Sequence, residues 1–200
     1  METPDTIREF WFGSNRDDAV VAEERSQLWW DKHPQTDREI KQRFESCVVK
    51  AVNGELDAWL TTPTGRLALI ILTDQFPRNM YRDTPQAFAF DPLALAWCKE
   101  GIRAGADQAL RPIERVFFYL PLEHSESLED QEQSVRLFRE LAAGEKSADA
   151  ESAFNNFLCF AVRHRDIVAQ FGRFPHRNRI LGRASTQEEL RFLSEENSSF

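Results

Sequence analysis

The apolar residues of this chain recur mostly at the three- and four-residue spacing that places them on one face of an α-helix. Thr-Pro, Asp-Pro and Arg-Pro pairs open several of the resulting segments, and a glycine closes several others. The pattern predicts helices at 4–12, in a weaker stretch ending at 28–30, and at 38–52, 55–60, 65–76, 92–105, 113–125, 127–143 and 148–171, followed by a last helix that carries Leu190 and Leu193. We expect Asp37 to cap the third helix, Asp91 to cap the helix that begins at Pro92, and Thr186 or Ser185 to cap the last one.

The segment 65–76 differs from the others because it is apolar on nearly every face, through Leu67, Leu69 and the run Ile70–Leu72. A helix without a polar face belongs in the middle of a protein. A buried strand is the alternative for so short an aliphatic run, but the chain has no second run of this kind to pair with it. Because Pro77 lacks the N–H that a continuing helix needs, we expect the helix to end there and the residues through Pro85 to form a loop.

The connections between these helices are mostly short and contain Gly or Pro, which favours antiparallel helical hairpins over a mixed sheet. The fold class predicted is therefore all-α. The chain has 200 residues and 42% apolar content, enough for one core, so we expect a single helical domain spanning residues 1–200. No motif recurs at the spacing of roughly 34 residues that tetratricopeptide arrays use. Periodicity alone does not indicate a repeat array.

The charge balance limits the class of partner. A formal net charge of -8 and a pI of about 5.1 argue against nucleic acid, because phosphate contacts need a basic surface. The longest aliphatic run is far shorter than the roughly 20 residues that span a bilayer, so no membrane association is expected. A local basic patch remains compatible with a small anion.

Three cysteines, Cys47, Cys98 and Cys159, lie far apart in the sequence and form no Cys-x-x-Cys motif. We interpret them as core thiols of a protein in a reducing compartment. The N-terminus carries Glu2 and Asp5 where a secretory signal would be basic and then apolar, so a soluble cytoplasmic protein is expected. No phosphate-binding loop, dinucleotide fingerprint or nucleophile elbow occurs, and we predict no cofactor.

Two polar segments interrupt the apolar helices in a similar way. Residues 74–79 read Asp-Gln-Phe-Pro-Arg-Asn and residues 172–178 read Gly-Arg-Phe-Pro-His-Arg-Asn, so that each has Phe-Pro with Arg and Asn close behind. Both follow a strongly apolar helix. We interpret them as two halves of one site, which requires that Arg78 and Arg177 face a shared cavity.

The second segment belongs to a basic stretch in an otherwise acidic protein. Between residues 163 and 183 the chain holds six arginines and two histidines against one acid, Asp166. Arginine grips a carboxylate or phosphate in two places, which favours an anionic ligand. The alternative is a structural ion-pair network with the acidic stretch that contains Glu123, Glu126, Glu129, Asp130 and Glu132. Both interpretations stay open.

Asp74, Glu123, His124 and His164 are the candidates for acid and base chemistry. Ser125 follows His124 directly, but adjacent residues of a helix point about 100° apart, so these two cannot form a catalytic triad by themselves. Of the histidines, His164 falls on the inward stripe of its helix, where a core histidine with satisfied hydrogen bonds is the simpler interpretation. The Glu-x-x-His and His-Glu-x-x-His spacings of helical metal sites are absent, and we predict no metal site.

Several of these segments taken together resemble the bacterial DUF924 family, almost from end to end of the chain. They are Phe10–Gly13, Trp29–Trp30, Gly65–Leu69, Asp74–Asn79, Phe118–Glu126, Gly172–Asn178 and Leu181–Arg183. The resemblance implies a helical fold with the packing of the tetratricopeptide-like superfamily, a soluble bacterial protein, and no established activity.

From the chemistry of these residues we expect a protein that binds an anionic small molecule or a peptide carboxylate in a cleft. The expected lining residues are Asp74, Arg78, Asn79, Arg82, Glu123, His124, His164, Arg173, His176, Arg177, Asn178 and Arg183. One alternative is an enzyme that uses His and carboxylate acid-base chemistry in the same cleft, such as a hydrolase. Another is a structural protein-protein interaction module that uses exposed tryptophans. The sequence leaves the oligomeric state open.

Overall fold

The computed structural model describes residues 2–144, 148–195 and 198, and within them the chain folds into helices without a β-strand. The α-helices are α1 (Pro4–Phe12), α2 (Asp18–Trp30), α3 (Pro34–Val52), α4 (Pro63–Ile70), α5 (Phe76–Met80), α6 (Asp91–Arg103), α7 (Pro112–Glu123), α8 (Leu128–Gly144), α9 (Ala148–Phe171) and α10 (Gln187–Leu193). Short 3-10 turns lie at Asp57–Thr61, Pro85–Phe88, Ala106–Ala109 and Pro175–Arg177. The all-α prediction is confirmed.

The predicted central helix is α4 joined to α5 through one π-helical turn, Ile71–Gln75. In that turn the N–H of Phe76 donates to the carbonyl of Ile71, five residues back. The wider turn leaves room for the ring of Pro77, which lies in the first turn of α5, where its missing N–H is not needed. The expectation that Pro77 ends the helix and begins a loop is therefore wrong. Its consequence for the site is that Arg78 and Asn79 are helical residues in fixed positions.

Local capping chemistry sets several of the predicted boundaries. Thr3 caps α1 by accepting from the N–H of Thr6, and Gly13, with φ of 73°, follows the last turn. Thr186 caps α10 in the same way, in a capping box with Glu189. The expected bounds of α9 agree with the structure to the residue.

Two of the expected caps are wrong, and both acids have another role. The N-cap of α3 is His33, so that Asp37 lies one turn inside the helix. The N-cap of α6 is Phe90, and Asp91 is the first helical residue. Each carboxylate binds an arginine of a different element, which is a stronger attraction than a cap to a neutral N–H.

The core is built around α4, which packs against α1, α6 and α7. Every residue of α4 from Gly65 to Ile70 is buried. Beside it the ring centroid of Trp11 lies 5.5 Å from those of Phe76 and Phe117, and Phe44 lies 4.6 Å from Phe76. This aromatic layer joins α1, α3, α5 and α7, and it fixes the π-helical turn that lies between them.

Helices α8 and α9 pack along each other, and α8 packs against α7 on its other side. At the end of α9 a smaller apolar cluster forms from Ile167, Val168 and Phe174, with Phe171 and Phe192 against it. This second cluster anchors the segment after α9. The basic residues of that segment are thus held close to α7 and not left on a free tail.

The cysteines are free thiols; Cys47 and Cys98 are buried, as expected of core residues, while Cys159 is exposed. Within the described ranges no helix combines the length and the apolar content that crossing a bilayer requires.

The packing around Gly65 yields a testable prediction. A Cβ at this position would lie 2.2 Å from the backbone carbonyl oxygen of Trp59 and 2.7 Å from Oγ1 of Thr62, which caps α4. Although Ala usually stabilises a helix relative to Gly, we expect Gly65→Ala to reduce the free energy of unfolding by about 1–3 kcal/mol, because backbone must move to relieve the contact. Urea unfolding followed by circular dichroism measures the change.

The matched control is Gly144→Ala at the end of α8, where a Cβ meets no atom of the described residues within 4 Å. We expect this variant to be neutral or more stable by up to about 1 kcal/mol. Equal effects of the two substitutions would show that the contact at Gly65 does not constrain α4.

Candidate functional site

The two polar segments singled out in the sequence converge on one carboxylate, that of Asp91. Arg78 of the first segment binds it in two places, with Nη1 donating to Oδ1 at 2.8 Å and Nη2 to Oδ2 at 3.0 Å. Arg177 of the second segment approaches the same group, with Nη1 3.5 Å from Oδ2. The guanidinium groups of Arg78 and Arg177 therefore lie on either side of one acid, at the start of α6.

The π-helical turn positions the inner half of this cluster. Asp74 lies in that turn and is fully buried, and Arg78 follows it at the four-residue spacing that places both on one face. Nη1 of Arg78 donates to the carbonyl of Asp74 at 2.6 Å, and Nη2 lies 3.6 Å from its carboxylate. One arginine thus compensates two acids, Asp74 and Asp91.

Asp74 also orients His124, the residue that follows α7. The Nδ1 of His124 lies 2.8 Å from Oδ1 and 3.0 Å from Oδ2 of Asp74. Burial raises the pKa of Asp74, but its interactions with His124 and Arg78 outweigh that effect, so the net shift is downward. Burial, and next the charge of Arg78, lowers the pKa of His124, so the imidazole is neutral at pH 7. Since the ionised Asp74 has no proton to give, Nδ1–H of His124 is the donor.

The neutral tautomer that this bond selects leaves the lone pair of His124 on Nε2. That nitrogen forms no hydrogen bond with a residue in the described ranges. An imidazole oriented by a carboxylate and carrying an unused Nε2 has the arrangement of a general base.

Arg177 is held between aromatic rings and not by a carboxylate of its own. Its guanidinium carbon lies 4.7 Å from the ring centroid of Phe88 and 4.5 Å from that of Phe174. Besides the contact with Asp91, Nη1 donates to the carbonyl of His124 at 3.1 Å. Burial, reinforced by the charge of Arg78, lowers the pKa of Arg177 to about 10. The shift means that its surroundings do not fully compensate the cation.

A cleft of about 340 Å³ opens beside Arg177 and His124. Its polar wall consists of Asp91, His124, Ser125, Glu126 and Arg177. Its apolar wall includes Pro85, Phe88, Pro92, Leu95, Pro121 and Leu181. A larger depression of about 580 Å³ lies between α1, α2 and α3, but none of the residues predicted for the site lines it. We therefore take the smaller cleft as the candidate site.

Behind the cleft, Glu123 and His164 bind each other. Nδ1 of His164 lies 3.0 Å from the carboxylate of Glu123 and 2.9 Å from the carbonyl of Phe160. The rings of His124 and His164 are 6.4 Å apart between centroids, and neither Glu123 nor His164 lines the cleft. His176, which is half-buried beside Phe174, also lies outside the lining; burial and the charge of Arg177 lower its pKa to about 3.

The remaining basic residues of the second segment hold that segment in place. Arg183 grips Glu126 in two places, at 2.6 and 2.9 Å, and the N–H of Phe174 donates to the same carboxylate at 2.8 Å. Burial opposes ionisation of Glu126, but these hydrogen bonds outweigh it and lower its pKa. This contact fastens the segment to the loop after α7, which carries the cleft.

A second clamp lies farther from the cleft. Arg173 binds Glu189 of α10 in two places, at 2.6 and 2.8 Å, and Asn178 donates to the same carboxylate at 3.2 Å. The bonds from Arg173 are the main cause that lowers the pKa of Glu189 to about 2. Arg173, Asn178 and Arg183 thus serve the ion-pair interpretation, although Glu126 is the only member of the predicted acidic stretch among their partners in the described chain.

Arg82 and Asn79 lie away from the cleft and bind Asp37 of α3. Nε and Nη2 of Arg82 donate to this carboxylate at 2.6 and 2.9 Å, and the amide of Asn79 donates at 3.0 Å. Asn79 lies about 100° from Arg78 around α5, and Arg82 follows the end of that helix at Met80, so both side chains reach Asp37 and neither binds Asp91. The sequence placed all three in one loop, where they could have turned the same way.

Sequence reasoning missed Asp91 and Phe88 as site residues. Asp91 was interpreted as a helix cap from the Asp-Pro pair, and Phe88 was assigned to no predicted element. A usable signal for Asp91 was its solitary negative charge between Asp83 and Glu100 in the sequence, close after Arg78 and Arg82. No signal of this kind identified Phe88, since its role depends on Arg177 being brought to it from the far end of the chain.

Ser125 lines the cleft, but its hydroxyl donates to Asp130 at 2.8 Å and is not activated by His124. Within the part of the chain that the structure describes, no cluster of three or more His, Cys, Asp or Glu side chains is arranged to hold a metal ion.

The chain is similar to known proteins over most of its length. Residues 7–197 match the model of a family described as a bacterial protein of unknown function, DUF924. A solved structure, that of a protein of unknown function from Agrobacterium tumefaciens, is 40% identical in sequence and superposes with a TM-score of 0.75. The similarity covers 89% of this chain and 99% of that one. No curated protein matches the sequence.

The shared use of Arg78 by two acids generates the second prediction. Arg78→Gln removes the cation that binds the buried carboxylate of Asp74 and the partly buried carboxylate of Asp91, and we expect a loss of about 3–5 kcal/mol in the free energy of unfolding at pH 7. Arg165→Gln is the control, because Arg165 binds the exposed acids Glu132 and Asp166, and it should change stability by less than about 1 kcal/mol. Equal stabilities of the two variants, measured by urea unfolding, would contradict the structural role of Arg78.

Proposed function

Since the chain belongs to the DUF924 family of bacterial proteins, whose description assigns no activity, we propose from its own geometry that it binds an anionic small molecule or a peptide carboxylate. The binding place is the cleft beside Arg177 and His124. The acids and arginines around it have unequal roles: Arg78, Asp74 and Asp91 shape the site, and Arg177 contacts the ligand.

The observation that carries this proposal is the incomplete pairing of Arg177. The residue is 7% exposed, and its Nε is buried without a hydrogen-bond partner in the described chain. Nη1 has the carbonyl of His124 and one long contact with Asp91, whereas Nη2 forms no hydrogen bond with a described residue. A nearly buried cation with unused donors is unfavourable unless an anion joins it. The cleft gives such an anion access.

Asp91 does not serve as the missing partner, because Arg78 already takes both of its oxygens at 2.8 and 3.0 Å. The same division of partners distinguishes Arg177 from Arg82, Arg173 and Arg183, each of which has a bidentate carboxylate within the fold. A carboxylate or phosphate oxygen of a ligand would complete the coordination of Arg177.

A second candidate function is acid-base catalysis in the same cleft, and the Asp74–His124 pair favours it. In hydrolysis of an ester, Nε2 of His124 would take a proton from water as the water oxygen attacks the ester carbon. The same proton would then pass to the departing alcohol oxygen, and the products would be an acid and an alcohol. Arg177 would hold the negative charge of the substrate.

The domain organisation, the helix packing and the cellular location are part of the same proposal. We infer one domain across residues 1–200, with helices packed as in the tetratricopeptide-like superfamily, acting in the bacterial cytoplasm. The helical pair α8 and α9 supports the inferred packing. The free thiols of Cys47 and Cys98 support a reducing compartment such as the cytoplasm. A purely structural interaction module has weaker support: Trp30 is 48% exposed, but its ring already lies against Phe117 and Phe157.

The test of the proposed binding is thermal unfolding in the presence of carboxylates and phosphates at constant ionic strength. We expect at least one of these anions to raise the melting temperature of the wild-type protein in a concentration-dependent way. At an anion concentration of one hundred times Kd, binding should add about 2.7 kcal/mol to the free energy of unfolding. Arg177→Gln should abolish this stabilisation. Without ligand the variant should unfold within about 1.5 kcal/mol of the wild type, since the lost cation was incompletely paired.

The matched control is Arg25→Gln, which removes an arginine from the other depression and should keep the response to anions. The proposal fails if no anion stabilises the wild type, or if Arg177→Gln responds as the wild type does.

The catalytic alternative has its own test, hydrolysis of aryl esters of carboxylic and phosphoric acids. If it holds, His124→Gln should lower kcat/KM about 10²–10⁴-fold. Activity should decline toward acid with an apparent pKa below 6.5, because burial keeps His124 neutral to lower pH. The control is His33→Gln, which changes an exposed histidine at the start of α3. Saturable binding with no turnover above that of His124→Gln would leave binding as the function and exclude this catalysis.

A further inference from the structure

The composition of the cleft wall specifies the ligand more narrowly than charge alone. Resting on the proposed function, we infer that the ligand is a monocarboxylate attached to an apolar group, as in a free aryl- or alkyl-substituted acid or the apolar C-terminal residue of a peptide. Four features of the cleft carry this inference: its charges, its hydrogen-bonding atoms, its apolar wall and its size.

The charges favour a single negative charge on the ligand. Arg177 is the cation of the polar wall, and the carboxylates of Asp91 and Glu126 lie in the same wall. Each acid is bound by an arginine of its own, Arg78 and Arg183, so neither is free to leave. His124 is neutral. A dianionic phosphate would gain one cation but would bring its second charge close to two carboxylates, and like charges at that range repel.

The hydrogen-bonding atoms favour a carboxylate with a donor close by. Nη2 of Arg177 offers its two N–H groups to acceptor oxygens, while Nε is covered and does not complete a fork. Nε2 of His124 is an acceptor in the neutral tautomer, so it requires a donor such as a peptide N–H or a bound water. The 3.1 Å bond from Arg177 to the carbonyl of His124 keeps these two groups next to each other. A peptide C-terminus supplies both an acceptor and a donor.

The rest of the cleft lining is apolar. Leu95, Leu181 and the ring of Phe88 face the cleft together with the rings of Pro85, Pro92 and Pro121. These side chains offer no hydrogen bonds, so a sugar or another polar ligand would lose its water without compensation. An alkyl or aryl group would remove apolar surface from water on both sides.

The volume limits the size of the ligand. The cleft measures about 340 Å³, near the lower end of the roughly 300–1,000 Å³ found for ligand pockets. One apolar side chain with its carboxylate is of this scale, whereas a folded partner is larger.

The ligand class is tested by isothermal titration of the full-length protein with a matched set of probes at pH 7. The set comprises 3-phenylpropanoate, acetate, 3-phenylpropanol and phenyl phosphate. We expect 3-phenylpropanoate to bind at least about tenfold more tightly than acetate, which lacks the apolar group, and than 3-phenylpropanol, which lacks the charge. It should also bind more tightly than phenyl phosphate. A tripeptide ending in Phe, compared with its C-terminal amide, distinguishes a peptide from a free acid as the source of the carboxylate.

Leu181→Asn tests the apolar wall, with Leu190→Asn as the control outside the cleft. These leucines are 37% and 50% exposed, so both variants should fold. We expect Leu181→Asn to weaken 3-phenylpropanoate about three- to tenfold and to leave acetate unchanged, and Leu190→Asn to change neither.

The outcomes separate this inference from the proposed function. The ligand class is overturned if phenyl phosphate binds more tightly than 3-phenylpropanoate, or if acetate and 3-phenylpropanoate bind equally. If Arg177→Gln abolishes the binding in either case, anion binding at Arg177 remains intact. Absence of binding by every probe, or binding that persists in Arg177→Gln, overturns both.

Discussion

The structure of the site depends on one cation that serves two acids, one fully buried and one partly buried. Arg78 lies between the carboxylate of Asp74, which is fully buried, and that of Asp91, which begins α6. Two carboxylates so close together would repel in a low-dielectric interior, so their ionised forms require this guanidinium. Through its ion pairs Arg78 fixes α5 against the start of α6. Through Asp74 it also fixes the tautomer and the orientation of His124 at the end of α7.

This arrangement explains why Arg177 differs from the other arginines. The demand of Asp91 is met by Arg78, so Arg177 reaches the same acid only at 3.5 Å and relies on the rings of Phe88 and Phe174. Aromatic faces attract a cation but supply no acceptor for its N–H groups. Burial depresses the pKa of Arg177, and its Nε is covered without a hydrogen-bond partner in the described chain. The fold therefore holds two adjacent arginines in opposite states, one saturated and one not.

The helices could be predicted from the sequence because the signals that start, stop and orient them are local. Thr3 with Pro4, Thr186 with Glu189, and the spaced apolar residues of α3 and α9 act within one or two turns. Pro77 shows where local reasoning stops: the rule that proline ends a helix is correct for an α-helical register, but the preceding π-helical turn changes the register. Residues 71–75 alone carry no sequence signal for a π-helical turn. The aromatic layer packed around the turn stabilises it, and this layer forms only through tertiary contacts.

The sequence predicted the site only in outline. The repeated Phe-Pro pattern, with an arginine close behind it, indicated that Arg78 and Arg177 belong together, and both contact Asp91. The assignment of Asn79, Arg82, Arg173, Asn178 and Arg183 to the same cleft rested on composition, and each of these binds a partner elsewhere in the fold. Side-chain direction decides between these possibilities, and it follows from helical phase and from acids remote in sequence, such as Asp37 and Glu189.

The position of Arg177 in a 3-10 turn of three residues, Pro175–Arg177, has an evolutionary consequence. The turn contributes its cation to the cleft from outside the helical core, and the clamps at Glu126 and Glu189 retain it whatever its central residues are. Substitutions within so short a stretch can change the charge and the polar groups that line the cleft while every core helix keeps its sequence. Relatives of this protein are thus free to share its scaffold closely and still differ in the chemistry of this cleft.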